Sequence, residues 1–365
     1  MRKRDKMIDK NKGKDIILIP TLNPDKKIFS YINNLKNSGF TKIIIVNDGS
    51  NKIHKPIFQK LATNGCVVLH HLENYGKGRA LKSGFTYIQE NYPQFSSVVT
   101  VDSDGQHAVE DVVKIAELSK KKPEALTLGV RDFSRSAIPV KSLIGNRFSS
   151  FAFHMLYGTR ISDTQTGLRA FGMPLLEFIS DINGDRFEYE MQMLTDCVQA
   201  DIPLQMIPIQ VIYDNNNEGT HFKALHDSVK VMKTMFAGFF RFLASSITSA
   251  AVDLGIAWFL LDFLRSFLPI EYLRILAATA IARIISIGVN YLINQKFVFQ
   301  RKKTSRQSLT RYLLLAAMMI LLSATGVYAL HEGLNVNEKS GKILMDTLLF
   351  FFSYRIQQKW VFKKD

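Results

Sequence analysis

Ser97-Val-Val-Thr-Val-Asp-Ser-Asp-Gly-Gln-His107 passes from a run of β-formers into two aspartates one residue apart. The apolar part predicts a strand over 97–102, and a buried strand that stops on carboxylates marks an edge where a ligand can be met. Asp102 and Asp104 at such a terminus can hold a divalent ion against a phosphate-bearing ligand, with Gln106 as an uncharged oxygen donor. Oxygen ligands and retained waters suit Mg2+ or Mn2+ rather than zinc. An isolated Asp-x-Asp is commonly a solvated turn or a helix cap. Here it follows an apolar strand and stands in register with a second strand-end aspartate, Asp48, which favours the metal reading.

Outward from this stretch, Ile16–Pro20, Lys42–Asn47, Cys66–His70 and Ala125–Val130 read as further strands, with helices over Lys26–Asn37, Gly78–Asn91 and Glu110–Lys121 between them. Strands alternating with helices at this spacing imply an α/β domain with a mainly parallel sheet, helices on both faces, and a ligand site beyond the carboxyl ends of the strands. The first strand leads into Ile19-Pro-Thr-Leu-Asn-Pro24 and the second into Val46-Asn-Asp-Gly-Ser50. Asp48 can accept from a ribose hydroxyl or a base N–H, although Asn-Asp-Gly is also a common turn. In Asn74-Tyr-Gly-Lys-Gly-Arg-Ala-Leu-Lys-Ser-Gly-Phe85 glycines open a helix beside Lys77 and Arg79, and a helix N-terminus favours phosphate. Ser162-Asp-Thr-Gln-Thr-Gly-Leu-Arg-Ala-Phe171 places Asp163, Gln165 and Arg169 just before another sheet element. Glu188 and Glu190 lie in a helix, and alternation leaves open which of them points inward.

The charge balance divides the chain. Residues 1–235 carry 31 basic and 25 acidic side chains, and residues 236–365 carry 16 and 7 within mostly apolar sequence, for a net charge of +15 over 365 residues. The positive charges flank apolar runs, so they read as membrane anchors and not as a nucleic-acid surface. The only cysteines, Cys66 and Cys197, form neither a disulfide framework nor a thiolate zinc site. Met1–Asp15 is charged and precedes a short apolar run, unlike a secretion signal, so the N-terminus is expected inside.

Four apolar stretches, 242–261, 275–293, 312–330 and 343–362, approach the length of a membrane span. Within them Asp253, Arg283 and Asp346 are expected to face one another or a polar path, either as an interhelical ion pair or with Arg283 on a lipid phosphate. Asn290-Tyr-Leu-Ile-Asn-Gln-Lys-Phe-Val-Phe299 aligns without gaps on Ser353-Tyr-Arg-Ile-Gln-Gln-Lys-Trp-Val-Phe362, and Gly238–Leu243 echoes Ser308–Leu313. This half reads as a duplicated two-helix unit, with two interfacial helix ends as the plainer alternative. Lys296, Arg301, Lys302, Lys303, Arg306 and Arg311 put the central loop in the cytoplasm by the positive-inside rule, and with it both termini. Four short helices bury little polar surface, which points to a homo-oligomer.

Ahead of these spans, Ser136–Tyr157 joins Lys141, Asn146 and Arg147 to Leu143, Phe148, Phe151, Phe153, Met155 and Leu156. That is the composition of a helix lying at a lipid surface; a core helix with exposed cations is the alternative. Thr220–Phe236 reads as a second such helix.

Taken together, Ile-Pro-Thr-x-Asn, Asn-Asp-Gly-Ser, Gly-Lys-Gly-x-Ala-Leu, Val-Asp-x-Asp-Gly-Gln-His and Asp-Thr-Gln-Thr-Gly-Leu-Arg-Ala-Phe resemble the family 2 glycosyltransferases of the polyprenyl-phosphate class. These are the relatives of dolichol-phosphate mannose synthases and bactoprenol glucosyltransferases. The resemblance covers about 14–231, and the tail resembles the GtrA-like four-helix family. It implies a GT-A-type nucleotide-sugar-binding domain over 1–235 and four transmembrane helices over 236–365, in a multi-pass protein of the plasma membrane with its catalytic domain in the cytoplasm. It implies that a sugar passes, with inversion and with Mg2+ or Mn2+, from a nucleotide-sugar donor to polyprenyl phosphate. On these positions Pro20, Thr21, Asn23, Asp48, Lys77, Asp102 and Asp104 would bind the nucleotide-sugar. Asp102, Asp104 and Gln106 would ligate the metal. Arg131, Lys141, Asn146 and Arg147 would receive the acceptor phosphate, and Asp104, Arg131, Asp163 and Gln165 would serve catalysis. Mannose synthases usually carry Glu where this chain has Pro24, and its loss tilts the expectation from GDP-mannose to UDP-glucose or UDP-N-acetylglucosamine. A GDP-mannose-dependent synthase and a transporter with a nucleotide-sugar-sensing domain are the alternatives. A processive polysaccharide synthase would need Gln-x-x-Arg-Trp in its soluble part, which is missing.

Overall fold

The computed structural model describes residues 14–131, 140–210, 224–299 and 306–363. The chain divides into two compact units, Met1–Met235 and Phe236–Asp365.

The first unit is built on a seven-stranded sheet. Its strands are β1 (Asp15–Thr21), β2 (Lys42–Asn47), β3 (Val67–His70), β4 (Ser97–Thr100), β5 (Leu126–Arg131), β6 (Arg169–Phe171) and β7 (Leu204–Ile209), in the order β3-β2-β1-β4-β6-β5-β7. All neighbours pair parallel except β6, which runs antiparallel to β4 and β5. Ile16 to Ile19 of β1 are fully buried on both faces, as a central parallel strand requires. Helix α1 (Lys27–Asn37) covers one face with Ile28, Tyr31, Ile32 and Leu35, spaced at helical period. The same layer holds α2 (Lys55–Thr63) through Phe58 and Leu61, and α4 (Val109–Lys121) through Val112, Ile115 and Ala116. Against the other face, α3 (Lys77–Asn91) brings Gly84 close enough for Leu18 to occupy the space a Cβ would need. The sheet element expected after Asp163 and Gln165 forms as β6 and begins at Arg169 itself; its antiparallel direction was not legible in the sequence, because a three-residue strand has no period. Its direction is set by tertiary bonds, among them Thr100 Oγ1 donating to Gly167 O at 3.0 Å. This is the GT-A-like α/β sheet expected.

Helices α5 (Val140–Tyr157), α6 (Leu176–Ser180) and α7 (Glu188–Gln199) complete the unit, with the start of α8 (Ala224–Phe263) held by Tyr157 Oη donating to Met235 O at 2.8 Å. On α5, Ile144, Phe148, Phe151 and Met155 are exposed at spacings of four, three and four, while Phe153 and Leu156 are buried.

The second unit is helical: the rest of α8, then α9 (Glu271–Ile293), α10 (Arg306–Leu334) and α11 (Glu338–Ile356). Among the described residues three helices, Asp227–Ser266, Glu271–Val298 and Arg306–Leu334, are long and apolar enough to cross a membrane. The fourth expected stretch, 343–362, is helical over most of its length as α11, but Lys342, Asp346 and Arg355 interrupt the apolar run of that helix and it is not among the three. The expected duplication is visible in reciprocal packing. Tyr291 stands 5.6 Å from Phe362 and its counterpart Tyr354 stands 6.0 Å from Phe299; Tyr291 meets Tyr312 at 5.4 Å and Tyr354 meets Phe242 at 5.3 Å. Both copies end in a π-helical turn, Asn294–Val298 and Gln357–Val361, joined by Asn294 Nδ2 donating to Gln357 Oε1 at 3.0 Å. Of the three intramembrane charges, Arg283 pairs with Asp253 at 3.3 Å, while Asp346 accepts from Ser323 at 2.6 Å and from Lys342 at 3.0 Å. Arg301, Lys302 and Lys303 lie outside the described residues.

Candidate active site

The parallel strands deliver their carboxyl ends to one edge, and the ladder continues past them: Asp48 N donates to Thr21 O at 2.9 Å, and Val101 N to Leu18 O at 3.0 Å. Asp102 and Asp104 are therefore carried on the first residues beyond β4. Asp102 Oδ1 meets Lys77 Nζ at 2.7 Å and its Oδ2 faces His107 Nε2 at 3.3 Å. Lys77 reaches Glu190 Oε1 at 2.9 Å on its other side. Burial opposes ionisation of Asp102, but the ammonium and the His107 hydrogen bond outweigh it and hold the carboxyl well below its ordinary range. Burial likewise opposes the charge on Lys77, and the two carboxylates outweigh it, so Lys77 stays protonated. Asp104 goes the other way. Desolvation, and then the charge of Asp102, raise it above the ordinary carboxylate value, while its Oδ1 accepts from Gln106 N at 3.0 Å. With Tyr31, Asn34, Gln106 and His107 it lines an open cleft of 750 Å³.

Gly167, in the Asp-Thr-Gln-Thr-Gly motif, has a physical reason to be glycine: a Cβ there would collide with Asp102 Oδ2 and stand 2.9 Å from Lys77 Nζ. The same motif holds Arg131. Asp163, fully buried, takes Arg131 Nε on Oδ2 at 2.6 Å and Arg131 NH2 on Oδ1 at 3.0 Å, and its Oδ1 also caps Gln165 N at 3.1 Å. Such a two-point pair fixes the plane of the guanidinium. Asp163 thus orients Arg131 and is itself shielded from any reacting atom, whereas Gln165 is exposed.

Several expected contacts take a different form. Asp48 is buried with its oxygens engaged by His71 Nδ1 (2.7 Å), Tyr75 N (3.0 Å) and Gly76 N (2.8 Å), so it organises the 71–76 loop instead of presenting a free carboxylate to a nucleoside. Pro20 and Thr21 are buried at the end of β1, with Thr21 Oγ1 donating to Ile19 O. Asn23, with φ of 47°, clasps the second strand's loop: Ser50 Oγ accepts from its N at 2.8 Å and its Oδ1 accepts from Asn51 N at 2.8 Å. Asn146, expected at the acceptor phosphate, is turned inward, 1% exposed, and donates to Ser162 O at 2.8 Å; a helix residue four positions from the exposed apolar row would be needed to face outward with it. Arg147 is exposed on α5. The side chain of Lys141 lies outside the described residues.

His71 and Glu190 are site residues that sequence reasoning did not assign. His71 bridges Asp48 to Ser83 Oγ at 2.9 Å, and no motif marks it. The helix start separates the two glutamates: Glu188, its first residue, accepts from Asp185 N and Arg186 N, and Glu190, two residues on, turns to Lys77.

Residues 16–176 match the family described as Glycosyl transferase family 2, and residues 241–362 match the GtrA/DPMS transmembrane domain. The chain is thus an enzyme of glycosyltransferase family 2 that carries a GtrA/DPMS transmembrane domain. A UDP-N-acetylglucosamine–dolichyl-phosphate N-acetylglucosaminyltransferase of Methanococcus voltae is 29% identical over 54% of this chain and 85% of the relative. A dolichyl-phosphate beta-glucosyltransferase of Saccharomyces cerevisiae is 27% identical over 53% and 63%. The solved structure of GalNAc-T7 with UDP, GalNAc and Mn2+ aligns with a TM-score of 0.40 and 12% identity, over 64% of this chain and 51% of that one.

Proposed function

We propose that this enzyme transfers a sugar from a UDP-sugar to a polyprenyl phosphate, with inversion, at the cytoplasmic face of the cell membrane. The observation that carries it is α5, where Ile144, Phe148, Phe151 and Met155 stand exposed beside Arg147 in the same unit as the Asp102–Asp104 edge. A soluble-domain helix with that face suits a surface where lipid chains and phosphates meet. The relatives named for dolichyl-phosphate acceptors support the lipid, and the Methanococcus voltae relative together with Pro24 supports the uridine nucleotide. Lys296, Arg306 and Arg311, with Arg301–Lys303, support a four-span membrane unit whose central loop and termini face the cytoplasm.

The donor set fits a divalent ion held partly by substrate. Among the described residues no three His, Cys, Asp or Glu side chains form a complete metal site. Magnesium-type sites commonly use one or two carboxylates plus substrate phosphates and water, and the raised Asp104 is a carboxylate that a neighbouring cation would return to its charged form. Asp104, with Asp102 and the Gln106 amide, would hold Mg2+ or Mn2+. When bound, the ion supplies Lewis-acid charge against a leaving diphosphate.

The chain's own groups do the rest. Lys77 keeps Asp102 ionised, Arg131 offers a phosphate a guanidinium already oriented by Asp163, and Gln165 faces outward for sugar hydroxyls. Arg147, and Lys141 on the same helix, would receive the acceptor phosphate. That phosphate, with a second pKa of about 6, is largely ionised near neutral pH, so attack needs no strong general base. Positioning and charge stabilisation are what the protein contributes.

The test is a panel of labelled UDP-glucose, UDP-N-acetylglucosamine and GDP-mannose given to membranes containing the protein and polyprenyl phosphate, followed by lipid extraction. Label from a UDP-sugar in the lipid is expected. GDP-mannose outcompeting both UDP-sugars overturns the donor, and nucleotide-sugar binding without turnover overturns the enzyme reading in favour of a sensor.

A further inference from the structure

Tyr31 shares the inward face of α1 with Ile28, Ile32 and Leu35 and is 7% exposed. Its hydroxyl is closed off from water and, among the described residues, has no hydrogen-bond partner. Three other buried tyrosines behave differently. Tyr157 Oη donates to Met235 O at 2.8 Å, Tyr189 Oη to Ile179 O at 2.6 Å and Tyr312 Oη to Asn290 Oδ1 at 2.6 Å. A buried hydroxyl without a partner gives up its hydration for nothing, so phenylalanine would fill this place on α1 at lower cost. The hydroxyl calls for a reason outside packing.

Its surroundings narrow what that reason can be. The ring packs beside the turn that carries the two aspartates: the space a Cβ would take at Gly105, where φ is 74°, lies 3.9 Å from Tyr31 Cγ. Burial, and then the charges of Asp102 and Asp104, push the Tyr31 phenol up, so it keeps its proton and remains a donor. Both aspartates are thus within electrostatic reach. Asp102 has committed both oxygens, Oδ1 to Lys77 and Oδ2 to His107. Asp104 has committed one: its Oδ1 accepts from Gln106 N, and among the described residues its Oδ2 accepts from none. A free donor on Tyr31 and a free acceptor on Asp104 therefore belong to side chains that line the same cleft without meeting.

We propose that Tyr31 is a positioning residue for the divalent ion: with the ion on Asp104, the Tyr31 hydroxyl donates to the Asp104 carboxylate and fixes the direction from which that carboxylate meets the metal. The inference rests on the metal reading above. A carboxylate is a stronger acceptor when charged, and a bound cation keeps it charged. Carboxylates that ligate a metal are commonly held by such outer hydrogen bonds, and losing one lowers metal affinity about 10–100-fold. Asp104 depends on an outer partner more than Asp102 does, because Lys77 and His107 already hold Asp102 in place.

The full chain in detergent, with and without UDP, is to be titrated with Mn2+, the free ion read by electron paramagnetic resonance, and metal-free melts recorded beside it. Tyr31→Phe should weaken Mn2+ binding by about tenfold or more. Its metal-free melt should match the parent's or rise, because the hydroxyl has no partner to lose. The rise in melting temperature that Mn2+ gives the parent should shrink in the variant. A hydroxyl that served the fold alone would do the reverse, lowering the metal-free melt and leaving Mn2+ affinity where it was. A metal-free melt that falls, or a loss of Mn2+ affinity smaller than about fivefold, overturns the proposal. Asp104→Ala, which should abolish the Mn2+ signal, separates the two readings. Mn2+ bound through Asp104 and held as tightly by Tyr31→Phe refutes the role of Tyr31 alone. Mn2+ bound alike by the parent and Asp104→Ala, or by neither, refutes the metal reading and the role of Tyr31 with it.

Discussion

Two arginine–aspartate pairs stand in the two units and do opposite things. Arg131 and Asp163 meet at two points, at 2.6 and 3.0 Å, with the aspartate wholly buried; Arg283 and Asp253 meet at one point, at 3.3 Å, with the arginine 63% exposed. A buried carboxylate with two charge-assisted bonds leaves its arginine a single orientation, which suits a group that must meet a phosphate in one place. A one-point pair holds charge in a low-dielectric region while leaving donors available. Pair geometry, more than the presence of charge, separates a rigidly held arginine from a loosely held one.

The largest effect falls on the carboxylate that neither unit pairs with a cation. Asp104→Ala should lower sugar transfer by about 10²–10³-fold, the scale of losing one preorganised electrostatic stabiliser. Turnover of extracted lipid product measures it, and retained activity would remove Asp104 from the site. Asp163→Ala comes next. Removing one partner of a buried pair costs about 3–5 kcal/mol, because Arg131 would lose the carboxylate that neutralises and orients it. Denaturant melts of the full chain in detergent should show that loss together with reduced transfer. Asp253→Ala should move the melt by less than half as much, because its arginine is loosely held, and leave transfer within about twofold; equal losses from the two aspartates would erase the contrast between the buried two-point pair and the one-point pair.

How much of this was legible in the sequence follows from the range of the forces involved. The strand ends carrying Asp48 and Asp102 follow from local periodicity and were readable; of the exposed row on α5, Phe148, Phe151 and Met155 were read from composition, Ile144 was missed, and Phe153 and Leu156, grouped with them, are buried. Lys77 was readable as a cation at a helix start, but its place between Asp102 and Glu190 depends on α7, more than a hundred residues on. Asp48 looked like a ligand contact because a strand-end aspartate beside a glycine turn gives the same pattern whether it faces solvent or a loop. Three backbone and side-chain donors from the 71–76 loop decide the matter, and none of them is encoded near Asp48. Asn146 failed for a rotational reason: it lies two positions from Ile144 and Phe148, so on a helix it points away from their row.

The smallest effect tests the comparison by its sign. Asp102 is held below its ordinary value by Lys77 and His107 against its own desolvation, so its contribution to folding is present above about pH 4 and is lost as pH falls towards its depressed folded value. Asp104 is raised by desolvation and by Asp102, so its ionisation costs stability as pH climbs from the ordinary carboxylate value to that raised value, and the full cost persists above it. Asp104→Asn removes this repulsion without removing volume. The variant should therefore melt slightly higher than the parent at neutral pH, with the advantage shrinking as pH falls and vanishing where the parent's Asp104 is protonated in both folded and unfolded chains. A melt series without divalent ions isolates the effect, because adding Mg2+ or Mn2+ should stabilise the parent and leave the variant behind. An Asn variant that is less stable at neutral pH in the absence of metal would mean that Asp104 already has a cationic partner in the protein, and the contrast between its open carboxylate and the closed Arg131–Asp163 pair would fail with it.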